Sequence, residues 1–192
     1  MVPAPNKKIS AFRIVLVILV ISFSSAVVIN FVHDITSPII SAKEEERLHN
    51  TLQTMMPDAE KFQTKIVEDR EVYLGREDEE VVGVVVPGIG EGFATFGDSD
   101  VEVLTLFSPD GTIREVTVLD HKQTPGIGDK IEDPEFLAQF ENIETEAVDE
   151  KIDLLEQIDI ISGATVSAEA VVQGVVFSTD QFEELGIQDL TE

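Results

Sequence analysis

From Ile14 to Val32 the chain reads IVLVILVISFSSAVVINFV, 19 residues without a charge. As a helix this run spans about 28 Å, close to the ~30 Å hydrocarbon core of a bilayer, so a single membrane crossing is the expectation. Its flanks differ in charge. Lys7, Lys8 and Arg13 precede it with no acid among them, whereas 10 of the 13 basic residues and all 38 acidic ones follow His33. The positive-inside rule then keeps the leader in the cytoplasm and places the remaining 159 residues outside. A cleaved signal peptide is the competing reading, because Ser24-Ser25-Ala26 resembles a small-residue cleavage site. The run continues for six residues beyond Ala26, however, and exceeds the ~7 to 15 residues of a signal core, which favours a retained anchor.

Composition removes several function classes. A formal net charge of −25 leaves nothing to displace counterions from a phosphate backbone, so nucleic acid is not an expected partner. With no cysteine there are no disulfides, thiol nucleophiles, cysteine-bound zinc or protein-bound iron-sulfur clusters. The three histidines, His33, His49 and His121, are scattered without a metal-binding spacing, so no metal site is expected. An electron carrier in this chain must be something else.

The expected organisation is a leader over 1–13, a transmembrane helix over 14–33, a juxtamembrane helical segment over 34–60 and one domain over 61–192. Pro38 is expected to interrupt the first helix, and Ser41 with Glu44 three residues on forms a capping-box signal for a new one. Leu48, Leu52 and Met55 share a face of that helix, and Pro57 closes it. Short β-branched runs follow at Lys65 to Val67, Glu71 to Leu74, Glu80 to Val86, Val101 to Phe107 and Thr112 to Leu119. The last two, joined by Ser108-Pro109-Asp110-Gly111, read as an antiparallel hairpin. Pro134 to Phe140 is a short helix capped by Asp133. A final helix starts near Thr165 or Val166, with Ala168, Val171, Val172, Val175 and Val176 at helical spacing. The predicted fold class is α+β, antiparallel strands with a few helices.

Three glycine-containing segments stand out. Pro87 to Phe93 contains G-x-G-x-G but lacks the context of a dinucleotide fingerprint, and reads as a loop leaving the strand at Val86. Thr124-Pro125-Gly126-Ile127-Gly128 is either a tight connection or an exposed loop able to approach a flat ligand. Ser162-Gly163-Ala164-Thr165 precedes the final helix, where it is either an ordinary N-cap or a phosphate site built from unpaired N–H groups.

In order and content these segments resemble one family: the FMN-binding domain of the G subunits of Rnf-type electron transport complexes, related to the C subunit of the sodium-pumping NADH:quinone oxidoreductase. The resemblance takes in the basic leader, the membrane helix, Thr36-Ser37-Pro38-Ile39 and Arg47 to Ala59. It continues through Gly92-Phe93, the hairpin, His121 to Lys130, and Asp159-Ile160-Ile161-Ser162-Gly163-Ala164-Thr165, which matches the flavinylation motif D-x-x-S/T-G-A-T. It implies an FMN joined through a phosphoester to Thr165, installed by a flavin transferase that uses FAD. By the same resemblance Asp159, Ser162, Gly163 and Ala164 shape the attachment segment. Gln123, Thr124, Pro125, Gly126, Ile127 and Gly128 would lie against the isoalloxazine, with Gly92 and Phe93 nearby. Two positions depart from the family: Gln123 stands where Glu is usual, and Gly92-Phe93-Ala94-Thr95 replaces G-Y-x-G.

The function this implies is an electron relay, not catalytic alone, on the extracytoplasmic side of the membrane. Its expected partners are lipid, a second flavin-bearing subunit, an iron-sulfur membrane subunit and the transferase. The acidic surface reads first as solvated, with high-salt adaptation or attraction for a basic carrier such as a cytochrome as alternatives. The competing functions are a component like the C subunit of the quinone reductase, a flavin-free membrane-tethered assembly module, and a freestanding flavin reductase. No paired carboxylates argue for acid-base chemistry.

Overall fold

The computed structural model describes residues 11–67, 70–78, 80–92, 99–145 and 151–189. The chain divides into two compact units between Leu48 and His49. Residues 11–48 of helix α1 (Ala11–Met55) make up the described part of the first unit, and every residue from Phe12 to Ile35 is exposed. A helix that is apolar all round and bare of protein contacts is stable only in an apolar solvent, and this one is long and apolar enough to cross a membrane.

Pro38 does not interrupt the helix, contrary to the sequence reading; α1 runs through it. A proline inside a helix removes one N–H and crowds the preceding turn, but helical context on both sides can hold the geometry. Ser41 accordingly does not cap a second helix. Its Oγ donates to the Ser37 carbonyl one turn back at 3.2 Å, and Thr36 Oγ1 does the same to Val32 at 2.9 Å.

The second unit is built on a five-stranded antiparallel meander in the order β1-β2-β3-β4-β5. The strands are β1 (Lys61–Val67), β2 (Arg70–Glu77), β3 (Glu80–Glu91), β4 (Asp100–Phe107) and β5 (Ile113–His121). Period-two alternation sends Val84, Val86, Val103 and Phe107 to one face, where they enter the main core with Val171, Val172 and Val175 of the last helix. That helix, α4 (Thr165–Asp189), starts where its periodicity predicts. On the opposite face Met56 packs over Gly75 and Gly83 beside Leu106, and Leu52 and Met55 are buried. The expected β4-β5 hairpin forms, with Gly111 N–H donating to Ser108 O at 2.9 Å across the turn.

Strand β3 is longer than expected. Pro87 to Glu91 stays in the strand and pairs with β4 from Leu104 to Asp100, so the glycine-rich stretch is not a loop. Gly88 and Gly90 lie on the face that meets α4, and a Cβ at either would fall on the backbone carbonyl oxygen of Gly174 or Ala170. The glycines are there to let helix and strand backbones approach.

Between β5 and α4 the chain forms a 3₁₀ turn (Gly128–Glu132), α2 (Pro134–Leu137), a second 3₁₀ turn (Ala138–Phe140) and α3 (Lys151–Gln157). Asp133 caps α2 as expected, accepting from Glu135 N–H at 3.1 Å. The sequence reading missed α3, a seven-residue helix too short to show a clear periodicity.

Replacing Gly88 or Gly90 by Ala forces backbone to move, so each is expected to destabilise the domain by about 3 kcal/mol or more, at the upper end of overpacking costs. Ile89, half-exposed between them, is expected to tolerate Ala within roughly 0.5 kcal/mol. Denaturant unfolding of the detergent-solubilised chain measures both.

Candidate functional site

Two turns of the same kind face each other at the head of α4. In the first, Ile127 N–H donates to Thr124 O at 3.1 Å, with Pro125 and Gly126 as the central residues. In the second, Ala164 N–H donates to Ile161 O at 3.0 Å around Ser162 and Gly163. Gly126 (φ +78°) and Gly163 (φ +84°) occupy the third position, where a type II turn demands positive φ. A Cβ at either would touch nothing, so backbone conformation rather than space requires glycine at both. Asp129 fixes the first turn by accepting from Gly126 N–H at 2.8 Å.

Between the turns lies an open groove of about 270 Å³ lined by Thr124, Ile127, Gly128 and the run Gly163 to Ser167. No lining residue carries a charge. Ile127 and Val166 are each about half exposed, at 52% and 49%, and give it apolar walls. Thr165 is exposed at its floor.

The start of α4 is not an ordinary N-cap. Ala168 N–H donates to Ala164 O at 2.9 Å, which makes Ala164 the capping residue and Thr165 the first helical one. Alanine has no side-chain acceptor, and Ser167 Oγ donates instead to Gln123 Oε1 at 2.8 Å. The N–H groups of the first turn therefore receive no acceptor from the capping side chain, a setting that suits a phosphate. Thr165 is thus one residue too late to cap, and it is exposed in the groove lining.

The expected site residues divide into groups. Thr124, Ile127, Gly128, Gly163, Ala164 and Thr165 line the groove, while Pro125, Gly126 and Ser162 shape its turns. Gln123 is buried behind it, with Gly92 against its side chain. Asp159 faces a separate depression of about 440 Å³ with Lys130, Phe136, Gln139 and Ile161. It anchors the segment through its backbone N–H, which donates to Gln139 Oε1 at 2.7 Å. Phe93 lies outside the described residues. Val166 and Ser167 were missed in the sequence; the first-turn positions after Thr165 were the available signal for both.

The start of α4 beside an uncharged, partly apolar groove is compatible with a phosphate-bearing ligand. The groove is smaller than the ~300 Å³ or more of enclosed ligand pockets, so it suits a flat group held at the surface. Residues 97–179 match the family model of the FMN-binding domain. It is similar to the G subunit of the proton-translocating ferredoxin:NAD(+) oxidoreductase complex of Clostridium ljungdahlii, 27% identical over 90% of this chain and 91% of that one. The G subunit of the Na(+)-translocating ferredoxin:NAD(+) oxidoreductase complex of Acetobacterium woodii is also 27% identical, over 91% of this chain and 92% of that one. With the C subunit of the Na(+)-translocating NADH-quinone reductase of Pasteurella multocida identity is 33%, but over 53% of this chain and 42% of that one.

The turn geometry predicts opposite effects at adjacent positions. Gly163→Ala is expected to cost about 1–2 kcal/mol through its positive φ. Ala164→Ser supplies the absent cap and is expected to stabilise flavin-free protein by about 1 kcal/mol. Urea unfolding of both variants on a Thr165→Ala background separates the two.

Proposed function

We propose that this protein is an electron-relay subunit of a membrane-bound, ion-translocating oxidoreductase of the Rnf type, with FMN joined to Thr165. The observation that carries the reading is the exposed Thr165 hydroxyl at the uncapped start of α4, opening into the groove shared with Thr124 to Gly128. Attachment forms a bond from Thr165 Oγ1 to the FMN phosphorus of FAD and breaks the pyrophosphate, with AMP leaving and the hydroxyl proton passing to solvent. A dedicated transferase performs this step.

The groove explains why a covalent bond is useful. It offers backbone N–H donors and a helix dipole to the phosphate, but no lysine or arginine lines it, and the whole chain repels anions at a net charge of −25. Helix-dipole stabilisation of an anion is about 0.3–1 kcal/mol at an exposed site. A phosphoester retains the flavin where such a hold does not. Bound there, FMN would supply reversible electron transfer; the chain's part would be to hold and orient it, with Ile127 and Val166 as the apolar lining.

The near-complete overlap with the G subunits, against under half of the C-subunit relative, favours the Rnf-type role over a quinone-reductase one. The leader stays cytoplasmic and the FMN domain extracytoplasmic on the charge asymmetry about α1. A second flavin subunit and an iron-sulfur membrane subunit are its electron partners.

Intact mass of the denatured protein from its native host tests the linkage. Wild type and Thr165→Ser are expected to carry one FMN phosphoester that fluoresces after denaturation, and Thr165→Ala none; an unmodified wild type would promote the flavin-free module. Orientation is testable because the chain has no cysteine of its own. In intact cells an impermeant maleimide is expected to label Asp110→Cys and not Ser10→Cys; the reverse pattern would invert the topology.

A further inference from the structure

The two walls of the groove are joined at one buried side chain. Gln123, only 4% exposed, accepts from Ser167 Oγ at 2.8 Å and donates through Nε2 to the Ser99 carbonyl at 2.8 Å. The same carbonyl accepts Gly92 N–H at 3.2 Å. The Gln123 N–H donates to His121 Nδ1 at 3.2 Å, and His121 Nε2 lies 3.2 Å from Glu132. One residue thus ties the end of β5, the segment entering β4 and the first turn of α4.

The packing is shaped around it. A Cβ at Gly92 would strike the Gln123 amide nitrogen. One at Gly128 would come within 2.7 Å of Gln123 Cβ and 2.9 Å of Ser167 Oγ. Unlike Gly126 and Gly163, these two are glycines for space.

We propose that Gln123 is a positioning residue that sets the separation of the groove walls and, through it, the surroundings of the flavin, without touching the flavin. The consequence for the flavin rests on the function proposed above; the clamp does not. Chemistry fixes the orientation of the amide, because a carbonyl oxygen can only accept. An amide, which donates and accepts at once, meets Ser99 and Ser167 with a pH-independent pair of bonds. A carboxylate at this place would set an oxygen against the Ser99 carbonyl, so only its protonated form can close the clamp. Burial and the facing carbonyl both raise such a carboxyl above its ordinary range.

The sign follows. In Gln123→Glu the clamp is closed at low pH, where the acid is neutral, and opens as pH rises through the raised value. His121 and Glu132 border the same cluster, so every comparison is made with wild type at the same pH.

The test is amide hydrogen exchange on the full chain in detergent from about pH 5 to 9, a range that brackets a carboxyl raised by burial. Relative to wild type, Gln123→Glu is expected to match at the acid end and to exchange at least roughly tenfold faster at the alkaline end in residues 126–128 and 168–171, with β1 and β2 unchanged. Ser167→Ala, which keeps the fold's apolar contacts, is expected to accelerate the same two segments at every pH, and Ser167→Thr to restore them. Equal protection in all variants, or acceleration spread evenly over the sheet, would overturn the clamp. Exchange needs no flavin, so this result stands whether or not Thr165 is modified. In flavin-bearing protein the Gln123→Glu midpoint potential is expected to depart from wild type only at high pH; an unchanged potential with an opened clamp would overturn the link to the flavin alone.

Discussion

The close approach of α4 to β3 is the contact on which the rest of this domain depends. Gly88 and Gly90 on the strand meet the backbone of Ala170 and Gly174 on the helix, and Gly174 in turn sits against Val103 of β4. Ridges of larger residues would hold a helix farther from a sheet; here bare backbone fixes both depth and register. Because α4 is seated one turn beyond its own start, this contact also places the helix terminus. The groove is a consequence of that seating, since one of its walls is the first turn of α4.

Glycine does two different jobs at the site. Gly126 and Gly163 supply positive φ to two facing turns, where any side chain has room but no L-residue is comfortable. Gly92 and Gly128 are where the Gln123 amide and its partners leave no room. The first pair exposes backbone toward a ligand and the second packs backbone behind it. Together they make a surface of backbone, apolar side chains and the hydroxyls of Thr124, Thr165 and Ser167, with no charged residue in its lining. A chain this acidic can present a phosphate site only by such local means, since a dipole and hydrogen bonds act within a turn while long-range charge acts against them.

Much of the architecture was legible in advance because its signals are local. The hairpin at Ser108 to Gly111, the cap at Asp133 and the apolar stripe of α4 each depend on residues within one or two turns. The reading failed where a distant partner decides. Pro87 to Glu91 looked like a loop because glycine and proline usually mark one, yet β4 pairs with it throughout and α4 makes its glycines necessary. Pro38 and the Ser41–Glu44 pair looked like a break and a restart, yet the helix runs through both. The resemblance set Gln123 against the flavin and Asp159 in the attachment segment; the structure places Gln123 buried behind the groove and Asp159 in a neighbouring depression.

The sequence by itself determined the long apolar helix, through a charge-free run of the right length, the β4-β5 hairpin, through period and turn chemistry, and the position of the segment that resembles a flavinylation motif. Tertiary structure alone decided that Ala164 rather than Ser162 or Thr165 holds the capping position, that Thr165 opens into a shared groove, and that one buried glutamine joins its walls. Periodicity and turns are written in neighbouring residues. Which backbone meets which across the fold is set only when helix and sheet pack, because that contact depends on space left empty by residues far apart in the chain.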